Sequence, residues 1–270
     1  MSNIIQRTIT GIIFLIVVVG SIALSKVSYL FLFELIIVSA MYEFYTMVEK
    51  KKFKPQKVYG ILIGVTFFAI NYFFVNGNVG KEIFLVIIPI IISVFLIELY
   101  QKSDYVFVNI GFTLLGILYI AVPFSFTNFI VFSENAEYSA QLLLGFFFLT
   151  WSFDTLAYIF GITFGKHRLF ERISPKKSWE GFVGGAISSL GVAYVISLFF
   201  TQLSFMHWAV SSLIISIFGT YGDLIESSFK RNIDEKDSGS ILPGHGGILD
   251  RFDAVFFTLP LFYLYLHLIQ

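Results

Sequence analysis

The sequence predicts an all-α, polytopic integral membrane protein of about nine transmembrane helices, and three observations carry that prediction. Only 13% of its 270 residues are charged, roughly half the ~25% of an ordinary soluble domain. It is 57% hydrophobic with a mean hydropathy of +0.82. Apolar runs of roughly 17 to 27 residues recur from end to end, the length that crosses a ~30 Å hydrocarbon core at ~1.5 Å per residue. A soluble globular protein is excluded. The absence of Cys also removes disulfides, thiolate nucleophiles and Cys-based metal centres.

In chain order the runs lie at about 9–25, 27–48, 58–75, 82–99, 106–132, 140–162, 181–200, 205–228 and 252–269. The first follows Arg7 and ends in Ala23-Leu24-Ser25, a weak small-residue site of the signal-peptide kind. With eight runs behind it, a retained helix is the expectation. Nine spans place alternate loops on opposite sides. One side receives Arg7, then Lys50, Lys51, Lys52, Lys54 and Lys57, then Lys102. It also receives Lys166, Arg168, Arg172, Lys176 and Lys177, then Lys230, Arg231, Lys236 and Arg251, which makes 16 of the 18 Lys and Arg. The other side receives Lys26 and Lys81, together with Glu134 and Glu137. The positive-inside rule then puts the N-terminus in the cytoplasm and the C-terminus outside. The basic segment 49–57 reads as a topology determinant that touches anionic headgroups. Residues 1–135 read as a transmembrane scaffold. Residues 136–270 read as a catalytic region, because nearly all the unusual polar residues fall there, with cytoplasmic loops 163–180 and 229–251.

An ionisable side chain inside a span costs about 2.5–3.5 kcal/mol on insertion scales, so each needs a partner or a task. Glu34, Glu43 and Glu98 are explained by snorkelling or a local hydrogen bond. Asp154 stands well inside the sixth span, and Asp223 and Glu226 share one face of the eighth near its cytoplasmic end. The loop that follows contains Pro243-Gly244-His245-Gly246-Gly247, a turn whose glycines let backbone N–H groups approach an anion. Asp250 and Asp253 stand three residues apart at the start of the last helix, where Asp250 also suits an N-cap. In the other loop Ser174-Pro175 suits an N-cap followed by the first helical residue. Basic side chains and a glycine turn suit phosphates, whereas clustered carboxylates repel them. Both at one membrane face imply a hard divalent cation, and oxygen-only ligands point to Mg²⁺ held by one or two carboxylates plus substrate phosphates. Gly161-Ile162-Thr163-Phe164-Gly165-Lys166-His167 is no P-loop: it has three residues between its glycines, His where Ser or Thr belongs, and a membrane helix before it. No GxSxG is present, so nothing suggests a serine hydrolase.

The stretch Ser228-Phe229-Lys230-Arg231, then Lys236-Asp237, then Leu242-Pro243-Gly244-His245-Gly246-Gly247-Ile248-Leu249-Asp250-Arg251-Phe252-Asp253 resembles the signature of the phosphatidate cytidylyltransferase (CDP-diacylglycerol synthase) family. Asp154-Thr155, Ala157-Tyr158, Gly165-Lys166 and the segment 173–185 resemble it too, so the likeness covers about 120 residues. It implies the Mg²⁺-dependent reaction of CTP with phosphatidic acid to give CDP-diacylglycerol and pyrophosphate on the cytoplasmic face, with the number of metal ions, one or two, left open. Cytosine specificity and the lipid acceptor come from the resemblance alone. On this reading Asp223 and Asp250 are the principal metal ligands, with Asp154 and Asp253 as further ones. Lys176, Lys177, Lys230 and Arg231 hold phosphates. Ser178, Lys236, Asp237, Gly244, His245, Gly246, Gly247 and Arg251 bind substrate, the glycine turn closing on the nucleotide. The resemblance also implies a homodimer; a 270-residue chain without extensions favours a bacterial inner membrane over an organellar one, and no nucleic-acid partner is expected. A transporter would spread its polar residues across the bilayer, and a CDP-alcohol phosphotransferase would carry DGxxAR, whereas this chain has no Asp-Gly dipeptide. A lipid kinase shares the nucleotide, metal and lipid requirements.

Overall fold

The computed structural model describes residues 3–133, 135–244 and 246–269, so Glu134 and His245 lie outside the described residues. It is 77% helical, and nine helices among the described residues are long and apolar enough to cross a membrane. The all-α, polytopic membrane class is therefore as the composition requires. The chain divides into two compact units, one of residues 1–138 and 233–252, the other of 139–232 and 253–270.

The first unit contains α1 (Asn3–Leu24), α2 (Lys26–Glu49), α3 (Lys57–Val75), a 3₁₀ turn (Lys81–Val86) leading into α4 (Ile87–Leu99), and α5 (Val106–Gly116). A π turn at Ile117–Ala121 then leads into α6 (Val122–Val131). The expected single run 106–132 is thus one span with a π turn in its middle. Pro123 sits just after that turn and has no N–H for the helical ladder. The core is aromatic: Phe33 stacks on Phe68 at 6.1 Å between centroids and meets Phe124 edge-on at 5.6 Å. Tyr29 is buried beside them and donates to Asn128 Oδ1 at 3.0 Å, which satisfies its hydroxyl. Glu98, fully buried, accepts from Gln56 Nε2 at 3.0 Å and Asn109 Nδ2 at 2.8 Å. That is the local hydrogen bonding its position called for. Arg7, Lys50 and Lys51 all meet residues of 234–244, while Lys26 meets Asn76 at 3.1 Å and Tyr138 donates to the Ile22 carbonyl at 2.6 Å.

The second unit contains α7 (Gln141–Phe164), a β1 (Arg168–Phe170) and β2 (Ser174–Ser178) antiparallel hairpin, α8 (Trp179–Phe199), α9 (Phe205–Asn232) and the body of α10 (Leu249–Ile269). Between membrane helices there is little hydrophobic drive, so close approach through small residues and interhelical hydrogen bonds takes over. Gly181 and Gly185 of α8 lie against Gly161 and Ala157 of α7, too close to admit a Cβ. Ser189 of α8 and Ser212 of α9 share a buried hydrogen bond of 2.7 Å. The fully buried Trp208 of α9 lies across Gly145 of α7, donates to the Phe200 carbonyl at 3.1 Å and stacks on Phe262 of α10. Trp208→Ala is expected to cost about 3–5 kcal/mol, the usual range for emptying a large aromatic site. A fall in the melting temperature of the purified protein by several degrees checks it; an unchanged melting curve would show that the site collapses without penalty.

Candidate active site

Four carboxylates come together in the second unit. Asp154 comes from α7, Asp223 and Glu226 from α9, and Asp253 from α10, just past its first turn. Asp223, Glu226 and Asp154 all lie near enough to Asp253 for their charges to oppose its own. Gly222 makes this approach possible, since a Cβ there would meet the Asp253 carbonyl oxygen at 2.7 Å. Lys177 and Lys230 offset part of this negative charge. Lys177 forms an ion pair with Asp223, and Lys230 pairs with the buried Glu226 at 3.1 Å, one turn away on α9. Ser227 Oγ donates to Asp223 Oδ1 at 3.1 Å, and the Ala254 amide donates to Asp253 Oδ1 at 2.7 Å.

Lys177 is delivered by the hairpin. Arg168 pairs with Ser178 and Phe170 with Ser174, and the Trp179 amide donates to the His167 carbonyl at 2.9 Å. Successive side chains of a strand face opposite ways, so Lys177 meets Asp223 while Lys176 points away and is exposed. The expected cap at Ser174-Pro175 is therefore corrected: those residues lie in β2, and Ser178 caps α8 by accepting the Gly181 amide at 3.2 Å. Strand pairing consumes the backbone that a helix start at 175 would need. Glu180, in the first turn of α8, accepts from the Lys166 amide at 3.1 Å and the His167 amide at 3.2 Å and meets His167 Nδ1 at 2.6 Å, closing the base of the hairpin.

The rest of the signature lies in the first unit. Leu242 and Gly246 form an antiparallel bridge, and Gly244 and Gly246 take φ of 77° and 82°, the left-handed region that glycine occupies without strain. Asp250 does not cap α10. It reaches back, accepting the Ser238 amide at 3.0 Å and the Gly247 amide at 2.8 Å, so it ties both ends of the loop together. Arg7 Nε donates to the Gly244 carbonyl at 2.9 Å. Lys50 pairs with Glu235 at 2.5 Å and Lys51 with Asp234 at 2.6 Å. Two lysines of residues 49–57 thus hold the loop. Lys236, Asp237 and Arg251 are exposed, as is Arg231 at the end of α9.

Sequence reasoning passed over Arg7, Glu43, Lys50, Lys51 and Ser238. For the lysines a signal existed in the opposite charges of Asp234 and Glu235. For Glu43 it was the insertion cost itself, which demanded a partner. Among the described residues no three acidic or histidine side chains close into a ready-made metal cage.

These features define an all-α membrane protein in which acids and lysines of several helices and a hairpin converge, with a glycine-turn loop on the same chain. A model of the cytidylyltransferase family matches residues 5–269, and the chain belongs to that family. It is 44% identical over 163 residues to proteins named phosphatidate cytidylyltransferase in Staphylococcus haemolyticus (strain JCSC1435) and Staphylococcus aureus (strain COL), and 42% identical to one in Staphylococcus epidermidis. Each alignment covers 60% of this chain and 60% of the relative, so the matched stretch spans less than two thirds of those proteins.

Proposed function

We propose that the chain is a CTP:phosphatidate cytidylyltransferase: an oxygen of the phosphatidate phosphate attacks the α-phosphorus of CTP, a P–O bond forms, and pyrophosphate leaves with its bonding electrons. The observation that supports this best is the gathering of Asp154, Lys177, Asp223, Glu226, Lys230 and Asp253 from separate elements of one unit. Both reactants are anions, so the chemistry asks for charge neutralisation and in-line positioning. No strong base is required, because the attacking phosphate oxygen is already ionised at neutral pH.

The donor set suits Mg²⁺. It is wholly oxygen and acid-rich. Asp223, with Asp154 and Asp253, would hold the ion, whose shell phosphate oxygens complete; Asp250 stays a candidate ligand on the strength of the motif. When bound, the metal supplies positive charge to the reacting phosphates. Lys177, Lys176, Lys230 and Arg231 take phosphate oxygens, with Lys177 and Lys230 exchanging their carboxylate partners for substrate. Ser178, Lys236, Asp237, Arg251 and the Gly244–Gly247 turn with His245 hold the nucleotide. We place this chemistry at the cytoplasmic face of a bacterial inner membrane, with the N-terminus inside, in a homodimer.

Purified protein in mixed micelles separates the readings. With phosphatidic acid, CTP labelled at the α-phosphorus is expected to label the lipid, and CTP labelled at the γ-phosphorus to release labelled pyrophosphate and no labelled lipid. Labelled lipid from the γ position would mean a kinase and would overturn the proposal.

A further inference from the structure

Glu43 is 3% exposed in the last two turns of α2, yet it makes no ion pair among the described residues. A buried carboxylate is expensive unless its bonds secure something. Among the described residues the hydrogen bonds that it accepts come from the signature segment: Ser238 Oγ donates to Oε2 at 3.2 Å and the Leu249 amide donates to the same oxygen at 2.9 Å. Oε1 accepts none among the described residues. Asp250 completes the arrangement from the loop's own end, because it takes the Ser238 and Gly247 amides. Residue 238 and residues 247–249 are thereby drawn together, and the Leu242–Gly246 turn is held out from a closed base. The loop sequence makes room for this acid. A Cβ on Gly239 or on Gly247 would run into the Glu43 carboxylate. Neither glycine has a positive φ, so the steric need alone accounts for them.

We infer that Glu43 is a positioning residue for the nucleotide-binding loop, acting from α2 through Ser238 and Leu249. The inference rests on the proposed activity, and it gives the N-terminal helices a task beyond scaffolding. A space-filling role would be met by Leu; a carboxylate whose hydrogen bonds all go to one loop sets where that loop stands.

The test uses the full-length protein in mixed micelles. Glu43→Ala is expected to raise KM for CTP at least about tenfold while KM for phosphatidate stays within about twofold. Amide hydrogen exchange of 238–249 should accelerate at least about tenfold, with the core of α2 and α3 still protected. Glu43→Gln keeps an oxygen where Oε2 stands and should return KM to within about threefold of wild type. Gly239→Ala leaves α2 untouched while pushing the carboxylate aside, so it should reproduce the CTP effect even if Glu43→Ala cannot be purified folded. Unchanged exchange in the loop, equal losses for both substrates, or loss of protection throughout the first unit would overturn the inference. A wild-type protein that makes no CDP-lipid would defeat the proposed activity instead, and the exchange measurement would still decide whether Glu43 holds the loop.

Discussion

Asp223→Asn is expected to lower kcat at least about 10³-fold at saturating Mg²⁺ while the protein remains folded. Asn has the same shape, and its carbonyl oxygen can still accept from Ser227, whose hydroxyl lies 3.1 Å from Asp223 Oδ1. What is lost is one negative charge in the group that is proposed to hold the metal against two phosphorylated reactants. Stabilising transition-state charge with a metal is worth several kcal/mol, and about 4 kcal/mol is a factor of 10³. Stability should move the other way. Asp223 is one of three acids whose charges oppose Asp253, so neutralising it relieves repulsion, and the melting temperature should hold or rise. A dead enzyme with a preserved melting curve is the signature of a chemical role. Activity within about tenfold of wild type at saturating Mg²⁺ would remove Asp223 from the site.

Much of this cluster was legible in the sequence because membranes make acids conspicuous. Asp154, Asp223 and Asp253 each interrupt an apolar run, and the insertion penalty alone requires an explanation for them. Lys177 was legible as a basic residue in a cytoplasmic loop, but its partner was not, since pairing with Asp223 depends on a two-stranded hairpin that a Ser-Pro dipeptide disguises as a helix start. The nine spans followed from hydropathy and charge alternation, which are local and cumulative. The association of 233–252 with the N-terminal helices did not, because it rests on contacts nearly two hundred residues apart in the chain, such as Glu43 with Ser238 and Lys50 with Glu235. Glu43 also illustrates a bias in reading single sequences. An acid near a span end has a cheap explanation in snorkelling, and the cheap explanation conceals an acid whose bonds are all spent on a distant loop.

Lys177→Ala tests the other half of the electrostatics, and its effects should oppose those of Asp223→Asn in a way that can be checked. In the absence of substrate, Lys177 neutralises Asp223; in the proposed reaction it turns to a phosphate oxygen. A charge-assisted hydrogen bond of this kind contributes about 1.5–3 kcal/mol, so kcat/KM should fall roughly 10- to 150-fold, expressed mainly in KM. Lys177→Arg keeps the charge on a planar fork in place of a compact ammonium and should lie between the two. Stability supplies the independent readout. Removing Lys177 leaves Asp223 facing Asp253 without its counter-ion, so the melting temperature should drop where Asp223→Asn holds or raises it. Because the two residues touch, their effects cannot be additive, and the double variant should melt near wild type although it is inactive. Unchanged KM for both substrates would return Lys177 to a topological role, and a double variant that melts as low as Lys177→Ala alone would show that the ion pair does not screen the acid cluster.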